Sequence, residues 1–123
     1  VVRVPAMSSD GNEKGTLLLP AVQVPVATYT SWNLRHASIG AEGELLSLQG
    51  GYIPFPRTKE VRAATKDPRP ALLERYRDFD DYQQQYMAAA EKLVADRYLL
   101  AEDLPRLKAL CEKFRGDFEL KSK

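Results

Sequence analysis

Two prolines interrupt a long apolar run near the start of the chain and limit the strands that it can form. The run reads TLLLPAVQVPVATYT over residues 16–30, and Pro20 and Pro25 divide it. Proline donates no hydrogen bond to a strand ladder, so such strands lie at a sheet edge or contain bends and bulges. The first quarter of the chain is therefore predicted to form short, bent strands.

The apolar segments before the second proline predict a hairpin. Val1–Met7 alternates in the manner of a strand, and Asp10-Gly11 supplies turn chemistry before the next strand-like segment, Thr16–Leu19. A hairpin of these two strands exposes a row of unpaired backbone groups unless another sheet or chain covers it.

The next segment, Ser31–Gly51, has neither a helical nor a strand period. It predicts a long ordered loop with one short strand around Glu44–Leu48. Loops of this length in compact domains are usually functional or are held by their neighbours. Tyr52–Pro56 is predicted to be extended, because residues that precede proline are excluded from the α region.

Helical patterns begin after residue 57. Thr58 is a candidate N-cap for a short helix that runs to Thr65. Pro70 suits the first turn of a second short helix, Ala71–Tyr76, since its missing N–H would have no partner there.

The strongest periodicity predicts a third helix that begins after Asp78 and continues to Leu99. Its apolar face contains Phe79, Tyr82, Tyr86, Ala89, Ala90, Leu93, Val94 and Tyr98. A fourth helix begins near Asp103, has Pro105 in its first turn and ends at Gly116. Its predicted buried stripe consists of Leu104, Leu107, Leu110, Cys111 and Phe114. The short connection predicts an antiparallel αα-hairpin.

These patterns predict an α+β fold in which a short, proline-broken β-hairpin and a long ordered loop precede a helical C-terminal half that ends in the αα-hairpin. A chain of 123 residues fits a single small module, residues 1–123. Its parts are a β-rich segment (1–30), the ordered loop (31–57) and the helical part (58–119).

Composition excludes several classes of protein. The 18 basic and 17 acidic residues are interleaved, whereas a nucleic-acid-binding domain usually has a basic excess. A run of about 18 apolar residues, which a membrane span requires, is missing. Cys111 is the only cysteine, so no intrachain disulfide forms. A single thiol is compatible with a reducing compartment, and a cytoplasmic location is favoured, although a signal cleaved before Val1 would leave no trace.

The sequence contains no catalytic or metal-binding motif. His36 is the only histidine, so it is the one candidate base for a histidine-dependent reaction. A pair with Ser38 is sterically awkward at two residues apart, and Cys111 is expected to be an inert buried thiol. One histidine and one cysteine give no metal pattern, and no cofactor is expected.

Aromatic residues fall into two groups. Tyr82, Tyr86 and Tyr98 have helical spacing and are predicted to lie in the core with their hydroxyls at its rim. Tyr29, Trp32, Tyr52 and Phe55 occupy non-helical chain. They either fill the junction between strands and helices or line a pocket.

Several unusual motifs carry a resemblance to a known family. They read ATYTSWNLR (27–35), GEL (43–45), LQGGYIPF (48–55), DPRPALLERY (67–76) and LVADRYLLAEDLPRL (93–107). In order and spacing they resemble the C-terminal region of a bacterial family known broadly as alpha/beta hydrolase domain-containing proteins. The resemblance extends from Val1 to about Phe114.

The resemblance implies a function for the segment. The nucleophile and the catalytic histidine of the family lie upstream of the resembling region, so this chain is expected to be a non-catalytic C-terminal segment of an esterase-like serine hydrolase. Its expected role is to support or border the substrate pocket. The expected pocket or interface residues are Tyr29, Trp32, Asn33, Arg35 and Tyr52.

Three partner hypotheses follow. The first partner is the hydrolase core, as the covalent parent or as a separate chain. The second is another copy of this chain, which would make it an independent interaction or oligomerisation module. A third hypothesis, a small enzyme that uses His36, predicts ester turnover that His36→Ala abolishes.

Overall fold

The structure, a computed structural model, describes residues 5–15, 17–46 and 49–119. Two short strands lie among several helices in this part of the chain, and the α+β class is confirmed. The elements are α1 (Pro20–Gln23), β1 (Ala27–Thr30), a 3-10 turn (Ala37–Ile39), β2 (Gly51–Pro54), α2 (Lys59–Thr65), α3 (Leu72–Arg75), α4 (Phe79–Ala95), a 3-10 turn (Ala101–Asp103), α5 (Leu104–Glu112) and α6 (Arg115–Phe118).

The sheet pairs β1 with β2 in antiparallel register, from Ala27 opposite Pro54 to Thr30 opposite Gly51. The side chain of Asn12 occupies the outer edge of β1. Its amide nitrogen donates to the Ala27 carbonyl at 3.0 Å, and its amide oxygen accepts from the Tyr29 N–H at 2.7 Å. Asn12 thus takes the place of a third strand and satisfies edge groups that would otherwise be open.

The predicted pairing of Val1–Met7 with Thr16–Leu19 is not seen. Residues 1–4 and 16 lie outside the described residues; of the others, Met7 bridges Glu13, and Leu17–Leu19 contain no strand. The chain instead enters α1 at Pro20, because the fixed φ of proline suits a first helical turn. The apolar run therefore contributes one helical turn and only then a strand.

Short helices follow β2. The Thr58 hydroxyl caps α2 by accepting from the Val61 N–H at 3.4 Å, so the predicted start is confirmed. Pro70 does not lie in the first turn of α3, because Ala71 is the N-cap of that helix. There the carboxylate of Glu74 accepts from the Ala71 N–H at 2.9 Å, and this bond fixes the start of the helix.

Helix α4 begins as predicted but ends earlier. The Asp78 carboxylate accepts from the Asp81 N–H at 2.8 Å, which caps the first turn. The predicted end at Leu99 is wrong, because Arg97 adopts φ 64° and the Tyr98 N–H returns to the Leu93 carbonyl at 2.8 Å. Tyr98 therefore leaves the helical face and is 65% exposed instead of buried in the core.

Helices α4 and α5 form the predicted αα-hairpin. Gln83 near the start of α4 donates to Glu112 at the end of α5, so the two helices run antiparallel. Gly116 does not terminate α5. The helix ends at Glu112, and Gly116 lies inside the one-turn helix α6.

An aromatic core joins the strands to the helices. Tyr82 is fully buried and stacks on Phe118 with ring centroids 5.2 Å apart. The core cluster comprises Val26, Phe55, Leu72, Tyr76, Phe79, Tyr82, Tyr86, Cys111 and Phe118. The Tyr82 hydroxyl is buried and does not lie at the rim. Burial raises the pKa of Tyr82 far above its ordinary value.

Candidate functional site

Residues 31–46, which we call the arm, extend from the end of β1 and fold back on themselves. Leu34 and Leu45 form an antiparallel bridge. The Arg35 N–H donates to the Glu44 carbonyl, and the Leu46 N–H donates to the Asn33 carbonyl, both at 2.8 Å. The arm is therefore an ordered loop whose shape is fixed by its own backbone hydrogen bonds. The predicted strand at Glu44–Leu48 is represented here only by the bridge at Leu45, and residues 47 and 48 lie outside the described residues.

Arg35 braces the tip of the arm. Its Nε donates to the Gly40 carbonyl and its Nη2 to the Ile39 carbonyl, both at 2.9 Å. The turn contains positive φ angles at Gly40 and Gly43, which glycine adopts without strain, and at Ala41. The guanidinium that the sequence assigned to a pocket or interface thus already binds two carbonyls of its own loop.

The side chains of His36 and Ser38 meet in the arm, contrary to the expectation of a sterically awkward pair. The His36 Nδ1 lies 3.0 Å from the Ser38 Oγ and 3.2 Å from the Ser38 backbone nitrogen, which donates to it. The contact with the Ser38 backbone nitrogen caps the 3-10 turn Ala37–Ile39. Both side chains are exposed, and no Asp or Glu of the described residues orients the imidazole. A catalytic serine requires a base held by a third group in a site that excludes water, so this geometry is that of a cap.

Seven large apolar side chains of the arm and β2 are uncovered. Each is between 43% and 60% exposed. They are Trp32, Leu34, Ile39, Leu45, Leu46, Tyr52 and Ile53. We call this set the apolar surface. Exposed apolar side chains that gather on one face are typical of an interaction site or a ligand-binding groove. Within this set Leu34 and Leu45 are bridge partners, whereas Tyr52 and Ile53 are successive strand residues and point to opposite faces of the sheet. Asn33 is exposed beside Trp32.

Tyr52 of the apolar surface packs against Tyr29 on β1. Their rings meet edge to face with centroids 5.6 Å apart. Tyr29 is half-buried, and its hydroxyl has no hydrogen-bond partner among the described residues. Burial, followed by the nearby Tyr52, raises the pKa of Tyr29 well above its ordinary value. Tyr29 also lines a surface cavity of about 240 Å³ beside the base of the arm.

A polar cluster, which we call the clamp, consists of Asp10, Thr28, Asp67, Arg69 and Arg75. The Arg69 side chain donates five hydrogen bonds. Two reach the carboxylate of Asp67, at 2.9 and 2.6 Å, and one reaches the Thr28 hydroxyl at 2.9 Å. The remaining two bind the carbonyls of Ile53 and Pro54 at 3.0 and 3.2 Å. Arg69 therefore ties β1 and β2 to the segment before α3.

Arg75 completes the clamp from α3. Its two terminal nitrogens bind the two carboxylate oxygens of Asp10, and its Nε donates to the Pro70 carbonyl at 3.0 Å. Both guanidinium groups lie over the ring of Phe55, with the carbon of Arg75 4.2 Å and that of Arg69 5.2 Å from its centroid. These polar groups are satisfied by each other, so the clamp holds the structure together and offers no free group for reaction.

The clamp also fixes the ionisation of Asp67. Hydrogen bonds from Arg69 lower the pKa of Asp67 to about 2. The motif at residues 67–76 predicted a short helix and carried the family resemblance, but it did not predict the clamp. A signal was present, since the spacing of Asp67 and Arg69 about a proline allows a local ion pair.

The other candidate groups offer no reactive centre. Cys111 is fully buried, and burial together with Glu112 raises the pKa of its thiol to about 11, so it is protonated at neutral pH. The described residues contain no group of three or more His, Cys, Asp and Glu side chains that could hold a metal ion. In the same part of the chain, no helix has the length and apolar character needed to cross a membrane.

Comparison with known proteins identifies a family. Residues 3–109 match the model of a family described as an alpha/beta hydrolase domain. The matched region contains the arm, the sheet, the clamp and most of the helical part. A search of curated proteins finds no match, and neither does a search of solved structures.

Proposed function

Because this chain belongs to the alpha/beta hydrolase domain family, we propose that it is the non-catalytic C-terminal segment of an esterase-like serine hydrolase and that it borders the substrate pocket of the complete enzyme. The observation that carries the proposal is the arm. It is held in shape by its own hydrogen bonds, yet its large apolar side chains are uncovered.

The chemistry of the described residues supports a non-catalytic role. Ester hydrolysis by serine needs a nucleophile, a base and a group that orients the base. Here the only imidazole belongs to His36, and its Nδ1 caps a 3-10 turn through Ser38. Cys111 is buried and protonated at neutral pH. The catalytic groups are therefore expected on the hydrolase core, and this segment contributes part of the surface of the substrate pocket.

The energetics favour covering the apolar surface. Full burial of one large apolar side chain contributes about 1.5–3 kcal/mol, so covering all seven, each about half exposed, contributes at most on the order of 7 kcal/mol. Association and side-chain ordering oppose this term. The rigidity of the arm lowers the ordering part of this cost, because the Arg35 bonds already fix its tip.

Trp32 and Tyr52 suit the wall of a substrate pocket. Each presents a large apolar ring with one polar atom, and each is 48% exposed. Asn33 adds an exposed amide next to Trp32, and Arg35 holds the tip of the arm. Mostly apolar walls with a few polar groups are typical of small-molecule pockets. In the proposed enzyme, the arm forms one wall of the substrate pocket and the hydrolase core carries the catalytic groups.

The test uses the chain with the separately expressed hydrolase core of a family member. Trp32 is the only tryptophan, so fluorinated tryptophan incorporated into this chain alone reports on the arm in the mixture. Docking is expected to shift the single fluorine resonance and to raise the ester turnover of the core. Absence of both changes would contradict the proposal.

Variants separate the apolar surface from general stability. Leu45→Ser with Ile39→Ser is expected to weaken binding to the core at least about tenfold, since about 1.4 kcal/mol corresponds to one decade. Val61→Ser is the matched control, because Val61 is 45% exposed but lies on α2, outside the apolar surface. Equal binding by the double variant and the control would count against the arm as the contact.

Two further outcomes favour other functions. If native mass spectrometry shows a dimer of the isolated chain that Leu45→Ser with Ile39→Ser dissociates, the apolar surface is a self-association site. If the isolated chain hydrolyses p-nitrophenyl esters and His36→Ala abolishes the turnover, the chain is itself an enzyme. A monomeric, inactive chain that binds the core supports the proposal over both.

A further inference from the structure

We draw no further inference here: the strongest candidate, the apolar surface patch that Leu17, Tyr98 and Leu100 form around the C-terminal end of α4, carries nothing, because nothing in the structure shows what covers it.

Discussion

Replacement of Arg69 by methionine tests whether the clamp holds the sheet on the helices. The substitution keeps an apolar side chain of similar length and removes all five hydrogen bonds of the guanidinium. It leaves the Asp67 carboxylate without its cation, and the Thr28 hydroxyl and the carbonyls of Ile53 and Pro54 without this donor. The side chains of Arg69 and Asp67 are only 15% and 16% exposed, so water replaces these bonds incompletely.

The expected loss follows from this geometry. Breaking a fully buried ion pair by removing one partner costs about 3–5 kcal/mol, because a charge is left uncompensated. The pair here retains some solvent contact, so we expect the lower end, about 3 kcal/mol of the free energy of unfolding. With a urea slope of about 2 kcal/mol per molar, the unfolding midpoint falls by roughly 1.5 M. Circular dichroism during urea titration measures this shift.

Arg77→Met is the matched control. Arg77 also pairs with an aspartate, Asp78, at 2.9 Å, but its side chain is 79% exposed. An exposed ion pair contributes about 0–1 kcal/mol, so the control is expected to unfold close to the parent midpoint. If Arg69→Met destabilises the chain no more than Arg77→Met does, the clamp is not a stabilising element and the reasoning from burial is refuted.

Three further predictions concern single groups. The folded-state pKa of Asp67 is about 2, below its ordinary value, so the stability that the ionised Asp67 contributes is complete above about pH 4 and is lost as the pH falls toward 2. Asp67→Asn should therefore lower the urea midpoint at neutral pH and reduce the dependence of that midpoint on acid pH. An unchanged acid dependence in the variant would contradict the assignment. The buried Cys111 thiol, with a pKa of about 11, should resist a chromogenic disulfide reagent in the native chain and react fully in urea, whereas rapid native labelling would show an accessible thiolate. Asp78→Ala should cost about 1 kcal/mol by removing the cap of α4, while Asp80→Ala, at a side chain that is 84% exposed, should change the urea midpoint little.

The starts of α2 and α4 were predictable because the signals that set them are local. Thr58 and Asp78 each accept a hydrogen bond from an N–H three residues later, a contact that sequence spacing already encodes. The end of α4 was not predictable in the same way. A glycine would have indicated a left-handed residue at the helix end, but position 97 is an arginine. It nevertheless adopts φ 64° and turns the chain away from the helical axis.

Strand pairing and the clamp depend on distant residues, and this is why sequence patterns did not give them. Tyr29 pairs with Tyr52 across the whole arm, and the Arg69 guanidinium reaches Thr28, 41 positions earlier. Asn12 supplies the outer edge of β1 with a side-chain amide, so no third strand is needed there. A local hairpin was the simplest prediction from the apolar run, but tertiary contacts selected a longer-range pairing.

The motifs that carry the family resemblance have two physical roles in the structure. The arginine residues of the motif at 67–76 find their partners in the clamp, whereas the motifs at 27–35 and 48–55 leave the side chains of Trp32 and Tyr52 uncovered. Stability alone explains the first set, because each of its charges has a partner. It does not explain the second, since an exposed tryptophan adds little to the free energy of unfolding. Substitutions in the two sets should therefore have different effects. Those in the clamp should lower the urea midpoint, whereas those on the apolar surface should leave the midpoint unchanged and weaken binding to the hydrolase core. A stability loss of similar size for both sets would show that the arm packs on this chain's own body and is not free to border a pocket.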